Sequence, residues 1–276
     1  MSEAKQPNNL LQRLGTAAVL IPALCLSLFV ETTAWSILAF SVLALGAAAD
    51  EYLRMGLGDD KAPGLRIAFA FVGTSLIVLN MLAGTRVAMA PLLAAGAMLL
   101  AFAVLVRKQQ LPEAGRTMAM VLSGLVYVPM LGCVWPLLKH DFGPQWLFLA
   151  LALAFSSDTG GYFGGRLFGK HKLYEAVSPK KTIEGGIGGL VGGVAAMLGF
   201  GHFWLTPEIP LVHAIVLGIL GSALGQIGDL VESMIKRTFG VKDSSNLLPG
   251  HGGMLDRVDA LLFVAPLVYY YARIFL

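Results

Sequence analysis

Ser233-Met-Ile-Lys-Arg-Thr-Phe-Gly-Val-Lys-Asp-Ser-Ser-Asn-Leu-Leu-Pro-Gly-His-Gly-Gly-Met-Leu-Asp-Arg-Val-Asp259 crowds acids, bases and a histidine between two strongly apolar runs. The chain around it is 56% hydrophobic and only 13% charged, with a mean hydropathy of +0.72. Ions placed this densely beside hydrocarbon must bind something charged, because desolvating them without a partner is expensive. Polar chemistry is therefore concentrated at one membrane face, and the apolar runs on either side belong to the bilayer.

Working outward, apolar windows fall at about 14–30, 34–50, 65–82, 88–106, 117–138, 146–163, 185–205, 211–232 and 258–275, each near the ~20 residues that cross a bilayer. The expected fold is all-α: a polytopic integral membrane protein with about nine transmembrane helices and its active site at the cytoplasmic face. Glu3, Lys5 and Arg13 precede the first window without a small-residue cleavage site and a following soluble chain, so this window is expected to be a retained helix. With the N-terminus inside, 17 of the 20 Lys and Arg residues fall on the cytoplasmic side, leaving Arg86, Lys139 and Arg273 outside. This asymmetry supports that orientation and an odd helix count by the positive-inside rule, and the expected location is a bacterial-type inner membrane with the N-terminus in the cytoplasm.

A net charge of +3 is too small to imply nucleic-acid binding, and no basic patch is interleaved with aromatics in a soluble module. Cys25 and Cys133 lie in separate apolar windows and read as small packing residues. Residues 1–145 form an N-terminal transmembrane scaffold with little chemistry. Residues 146–276 form the catalytic region, with cytoplasmic loops at 164–184 and 233–257. Gly185, Gly189 and Gly193, beside Gly188 and Gly192, face small residues Gly218, Gly221, Ser222 and Gly225 of the next window. Such spacing lets backbones approach closely, so the helices of the seventh and eighth windows are expected to pack tightly and hold their loops side by side.

Gly164 and Gly169-Lys170 nearly match a phosphate-binding P-loop, but His171 stands where Ser or Thr should meet the metal, and no buried strand precedes them. That reading is rejected. What survives in this segment is Asp158, an ion within an apolar window and hence costly unless paired or functional. Ser178-Pro-Lys-Lys-Thr-Ile-Glu184 puts Lys180, Lys181 and Thr182 before a Gly-rich helix. Free N–H groups, the helix dipole and ammonium charge there suit phosphate, although lysines also anchor membrane interfaces. Asp229, Ser233, Lys236 and Arg237 share one helical stripe, the layout of a carboxylate that holds a divalent metal beneath cations that meet its phosphates; an intrahelical ion pair is the simpler alternative. Asp256, three residues before Asp259, is the second candidate metal ligand. Hard oxygen donors favour Mg²⁺, and His251 alone cannot build a zinc site. His251 serves either as an oriented turn residue or as a phosphate donor.

The pattern Ser233-x-Ile-Lys-Arg-x4-Lys-Asp-x-Ser-x2-Leu-Pro-x-His-Gly-Gly-Met-x-Asp-Arg-Val-Asp259 resembles the signature of the phosphatidate cytidylyltransferases, also called CDP-diacylglycerol synthases. Asp158 and the Ser178–Glu184 run are also similar to that family. The resemblance implies Mg²⁺-dependent cytidylyl transfer from CTP to phosphatidic acid by a homodimer, with Asp229 and Asp256 on the metal and basic signature residues around the triphosphate. It extends the candidate site to Lys180, Lys181, Lys236, Arg237 and Arg257 for phosphates, and to Lys242, Asp243, His251, Gly252 and Gly253 for loop geometry or nucleotide contact. Preference for cytosine rests on the resemblance alone. A transporter would place its ions near the midplane between repeats; here they gather toward one face. A CTP-dependent polyprenol kinase is the competing enzyme reading, separable by its product.

Overall fold

The computed structural model describes residues 9–30, 34–58, 62–83, 89–107, 109–205 and 209–276. Glu3, Lys5, Lys61, Arg86 and Lys108 of the orientation argument lie outside them. The helices are α1 (Asn9–Cys25), α2 (Trp35–Leu57), α3 (Pro63–Ala83), α4 (Met89–Leu105), α5 (Leu111–Leu125), α6 (Val134–Phe142), α7 (Pro144–Phe168), α8 (Ile183–Ala196), α9 (Leu211–Thr238) and α10 (Leu255–Phe275). Wider π-helical segments extend α1 through Leu26–Val30, join α5 toward α6 through Val126–Met130 and extend α8 through Met197–Leu205. Pro129 sits inside the second of these, where its missing N–H and ring favour a local break in the α-helical ladder.

Every apolar window carries a helix. Among the described residues six helical stretches are long and apolar enough to cross a membrane: Trp35–Leu57, Pro63–Ala83, Leu111–Phe142, Ile183–Phe203, Leu211–Thr238 and Leu255–Phe275. Leu14–Phe29 and Met89–Leu105 are shorter apolar helices, and α7 carries Asp158 and Arg166 toward its C-terminal end. The protein is thus a nearly all-helical, multi-pass membrane protein. Both expected loops are shorter than the sequence suggests, because α7 runs to Phe168 and α9 to Thr238. Between α7 and α8, within the expected loop, lies an antiparallel hairpin of β1 (Lys172–Tyr174) and β2 (Ser178–Thr182) pairing Lys172 with Thr182 and Tyr174 with Ser178.

The glycines of α8 pack on two neighbours. Gly189 and Gly193 meet α9 as expected, a Cβ on Gly193 running into Ser222 and standing 3.0 Å from the Gly218 carbonyl oxygen, while Gly188 and Gly192 meet α7, where a Cβ on Gly160 would stand 2.3 Å from the Gly188 carbonyl oxygen and one on Gly192 would stand 2.3 Å from that of Ser156. Gly164 of the rejected P-loop look-alike belongs to the same face of α7, since a Cβ on it would lie 3.1 Å from the Gly188 Cα. α9 also touches α8, since a Cβ on Gly218 would lie 2.6 Å from the Val194 Cα, but its Gly228 faces α10, 2.6 Å from the Asp259 carbonyl oxygen. Backbone-to-backbone approach of this kind brings α7, α8, α9 and α10 into one cluster. α2 and α6 close its other side around buried Trp146, Leu149, Leu153, Val264 and Val268.

Candidate active site

The cluster leaves two cavities at its polar end. The first, about 400 Å³, lies between α7, the hairpin, α8 and α9, and is lined by Asp158, Arg166, Lys180, Lys181, Thr182 and Asp229 among others. The second, about 360 Å³, is walled by apolar side chains of α1, α2, α6, α7 and α10, including Ile21, Phe40, Leu151 and Phe155. Its ionic lining is Asp158, His251, Asp256, Arg257 and Asp259. Asp158 belongs to the wall of both.

Thr182 ends β2 and caps α8, its hydroxyl accepting from the Gly185 N–H at 3.1 Å. This cap turns the chain so that Lys181 reaches α9, where its Nζ stands 2.7 Å from Asp229 Oδ2. The pair is neither buried nor free, with side chains 27% and 31% exposed, so both groups remain open to the cavity. The Ser233 hydroxyl donates to Asp229 Oδ1 at a long 3.3 Å. Asp158, Asp229 and Asp259 feel one another's negative charge, and Lys181 and Arg257 offset it at Asp158. The close approach at Gly228 explains how α9 and α10 bring Asp229 and Asp259 into this common field.

Asp256 stands in a different environment. Its Oδ1 accepts from Lys236 Nζ at 2.6 Å, while Oδ2 accepts from the Ser244 N–H at 3.0 Å and from the Gly253 N–H at 2.8 Å, with the Ser244 hydroxyl, which can donate to it or to Glu51, also 3.0 Å away. Lys236 also pairs with buried Glu232 one turn back on α9. Gly252 has φ +81°, and a Cβ there would sit 2.8 Å from Asp256 Oδ2, so this turn needs glycine to bring the backbone onto the carboxylate. Arg237 points its donors at loop carbonyls, Nε to Val177 at 3.4 Å and Nη1 to Val241 at 3.0 Å. Lys242 and Asp243 are exposed and face a separate cavity beside the end of α2. The site residues therefore divide in two. Lys180, Lys181, Thr182, Asp158 and Asp229 share the first cavity, whereas Lys236 and Arg237 at the end of α9 and Asp256 at the start of α10 anchor the loop that carries Gly252 and Gly253, and His251 and Asp256 line the second.

Among the described residues no three acidic, His or Cys side chains form a ready-made metal cage. The donor set still suits Mg²⁺, which is usually held by one or two carboxylates and completed by substrate phosphates and water. Asp229 offers such a carboxylate on a cavity wall, beside the charge of Asp158 and Asp259.

Sequence reasoning missed Glu51, Glu232 and Arg166. Glu51, in the half read as scaffold, is 3% exposed and receives four hydrogen bonds from the 244–255 segment. They come from the Ser244 hydroxyl at 2.9 Å, the Ser245 hydroxyl at 2.6 Å, the Met254 N–H at 2.9 Å and the Leu255 N–H at 2.8 Å. The available signal was an acid beside the second apolar window, a placement that is costly without partners.

Residues 11–275 match the model of the cytidylyltransferase family. The chain belongs to that family. Among its relatives, the phosphatidate cytidylyltransferase of Staphylococcus haemolyticus is 37% identical over 240 residues, covering 84% of this chain and 88% of the relative. Those of Bacillus subtilis and Staphylococcus saprophyticus are each 43% identical, over 137 and 150 residues. These two matches take in 49% and 54% of this cytidylyltransferase-family chain, and 50% and 57% of the relatives. Family membership therefore accords with the reading of the 233–259 signature.

Proposed function

We propose that this protein transfers the cytidylyl group of CTP to phosphatidic acid, giving CDP-diacylglycerol and pyrophosphate for phospholipid synthesis. One observation carries the reading beyond the relatives' names. A polar, lysine-lined cavity and an apolar cavity with an ionic lining share the Asp158 wall, as an enzyme joining a nucleotide to a lipid requires. The bond formed runs from a lipid phosphate oxygen to the α-phosphorus of CTP. The bond broken runs from that phosphorus to the oxygen bridging to the β-phosphate, and pyrophosphate leaves with that electron pair.

Both reactants are anions, so the chain must offset charge where they meet rather than supply a strong base. Lys180, Lys181, Thr182 and Arg166 suit the triphosphate in the first cavity. Arg257 and His251 suit the lipid phosphate, with acyl chain packed along Ile21, Phe40, Leu151 and Phe155. Lys236 and Arg237, expected to meet phosphate, have donors directed at protein groups and serve by holding the 239–254 loop and Asp256. Asp229 would hold Mg²⁺, which when bound supplies positive charge to the phosphate oxygens and makes the α-phosphorus more electrophilic. Asp256, expected as the partner ligand, would first have to release Lys236 or its loop donors. Asp259, on the wall of the second cavity where α10 meets α9 at Gly228, is the alternative second carboxylate.

The skew of Lys and Arg toward one side orients the site to the cytoplasm, and a homodimer remains part of the proposal. Purified protein given labelled CTP, phosphatidic acid and Mg²⁺ should yield a lipid carrying CMP together with pyrophosphate. A lipid bearing only a new phosphate would overturn the reading in favour of a kinase.

A further inference from the structure

We infer that Glu51 is a positioning residue of the catalytic loop: a buried carboxylate through which the N-terminal helices set the register of the signature segment. The inference rests on the proposed activity for its kinetic consequences, though not for its geometry. Glu51 lies on α2, and its four donors lie 193 to 204 residues further along the chain. Two of them are the N–H groups of Met254 and Leu255, at the start of α10, where a helix has no internal acceptors for its first donors. The other two are the hydroxyls of Ser244 and Ser245 in the middle of the loop. Glu51 thus clamps the middle of the loop to its end, and a Cβ on Gly253 would lie 2.6 Å from Glu51 Oε2, so the backbone is drawn directly against the carboxylate.

The Ser244 hydroxyl connects this clamp to the site, because it lies 2.9 Å from Glu51 Oε2 and 3.0 Å from Asp256 Oδ2. Asp256 in turn holds Lys236, and Arg257 and Asp259 follow on the same helix. Displacing the Glu51 clamp therefore shifts the helix start that aims Arg257 and Asp259. A glutamine at this position fits the space but turns its NH₂ toward two of the donors, Ser245 and Met254 on the Oε1 side or Ser244 and Leu255 on the Oε2 side. The hydroxyl of either pair can rotate to accept from it, whereas the backbone N–H cannot.

The test uses the full-length protein in detergent or nanodiscs, comparing wild type, Glu51→Gln, Ser244→Ala and the double variant. Glu51→Gln should lower kcat on the order of 10²-fold, as misplacement of about an ångström can. The KM for CTP should stay within about twofold, because the first cavity does not contain Glu51. In the double variant the kcat losses should be clearly less than multiplicative, as expected for residues in one network. Hydrogen exchange should speed up in peptides covering 244–257 and remain unchanged in α7 and α8, whereas general destabilisation would raise it throughout. If Glu51→Gln does not yield a monodisperse protein, Ser245→Ala removes a single donor to the same carboxylate and should reproduce the local exchange change with a smaller kcat loss. Wild-type kcat and exchange in the glutamine variant, fully multiplicative losses, or acceleration spread across the protein would each overturn the inference. The exchange measurement needs no turnover, so a wild type that makes no CDP-diacylglycerol would sink the proposed activity while the clamp is still judged by its own result.

Discussion

Asp229 and Asp256 carry the same functional group in unlike settings, and their substitutions should fail differently. Asp229 is partly exposed and faces one lysine, so Asp229→Asn should reduce turnover at least ~10²-fold, the scale of losing a key electrostatic group, with little change in melting temperature. Asp256 is 5% exposed and anchors Lys236, and removing one member of a buried pair typically costs about 3–5 kcal/mol. Asp256→Asn should therefore lower the melting temperature as well as the rate, and thermal unfolding of both variants checks the contrast. Asp259→Asn should raise the Mg²⁺ concentration for half-maximal activity several-fold. An unchanged Mg²⁺ profile would remove Asp259 from the metal. Sequence located these aspartates because ions are conspicuous in apolar chain, but it could not distinguish a carboxylate open to a cavity from one saturated by its own loop. That difference depends on Ser244 and Gly253, whose part appears only once the turn is folded.

At the level of elements, the small-residue faces were legible, as was the α8–α9 pairing at Gly193, but the closer backbone contact of α8 with α7 was not. Gly185, Gly189 and Gly193 announce close packing, yet spacing says only that a neighbour approaches, and both α7 and α9 offer small faces. The structure gives α7 the closest approach, and the α7–α8 contact carries the hairpin that delivers Lys181 to Asp229. Gly188→Val should force these backbones apart, since even a Cβ at 188 would lie 2.5 Å from the Gly160 carbonyl oxygen. Overpacking of this kind costs about 1–3 kcal/mol, and a lower melting temperature with weaker CTP binding is the expected outcome. Gly199→Ala, where a Cβ would meet nothing within 4 Å, should leave both unchanged. The hairpin itself escaped sequence reading because its strands are short and largely exposed, with no alternating pattern to mark them.

Over the whole molecule, the apolar windows anticipated the helices well, since hydrocarbon length constrains each of them independently. Where the windows meet was not legible, and the apolar cavity is made by that meeting. α1 joins it at its side, and the Thr16 hydroxyl donates to the Pro249 carbonyl at 2.9 Å, tying the first helix to the signature loop. Ile21, 60% exposed and lining this cavity, should tolerate Ile21→Trp without unfolding. That change should raise the KM for phosphatidic acid several-fold while leaving the KM for CTP unaltered, and steady-state kinetics with each substrate varied would reveal it. Equal effects on both substrates would argue that the two cavities do not divide the reactants.

The most direct test of that division is a structure of the protein with CTP and Mn²⁺ in place of Mg²⁺, with the ion located by its anomalous scattering. Triphosphate should lie between Lys180, Lys181 and Arg166, with a metal peak within ligand distance of the Asp229 carboxylate. A nucleotide lying elsewhere, with Asp229 still paired to Lys181 and no metal beside it, would contradict that division.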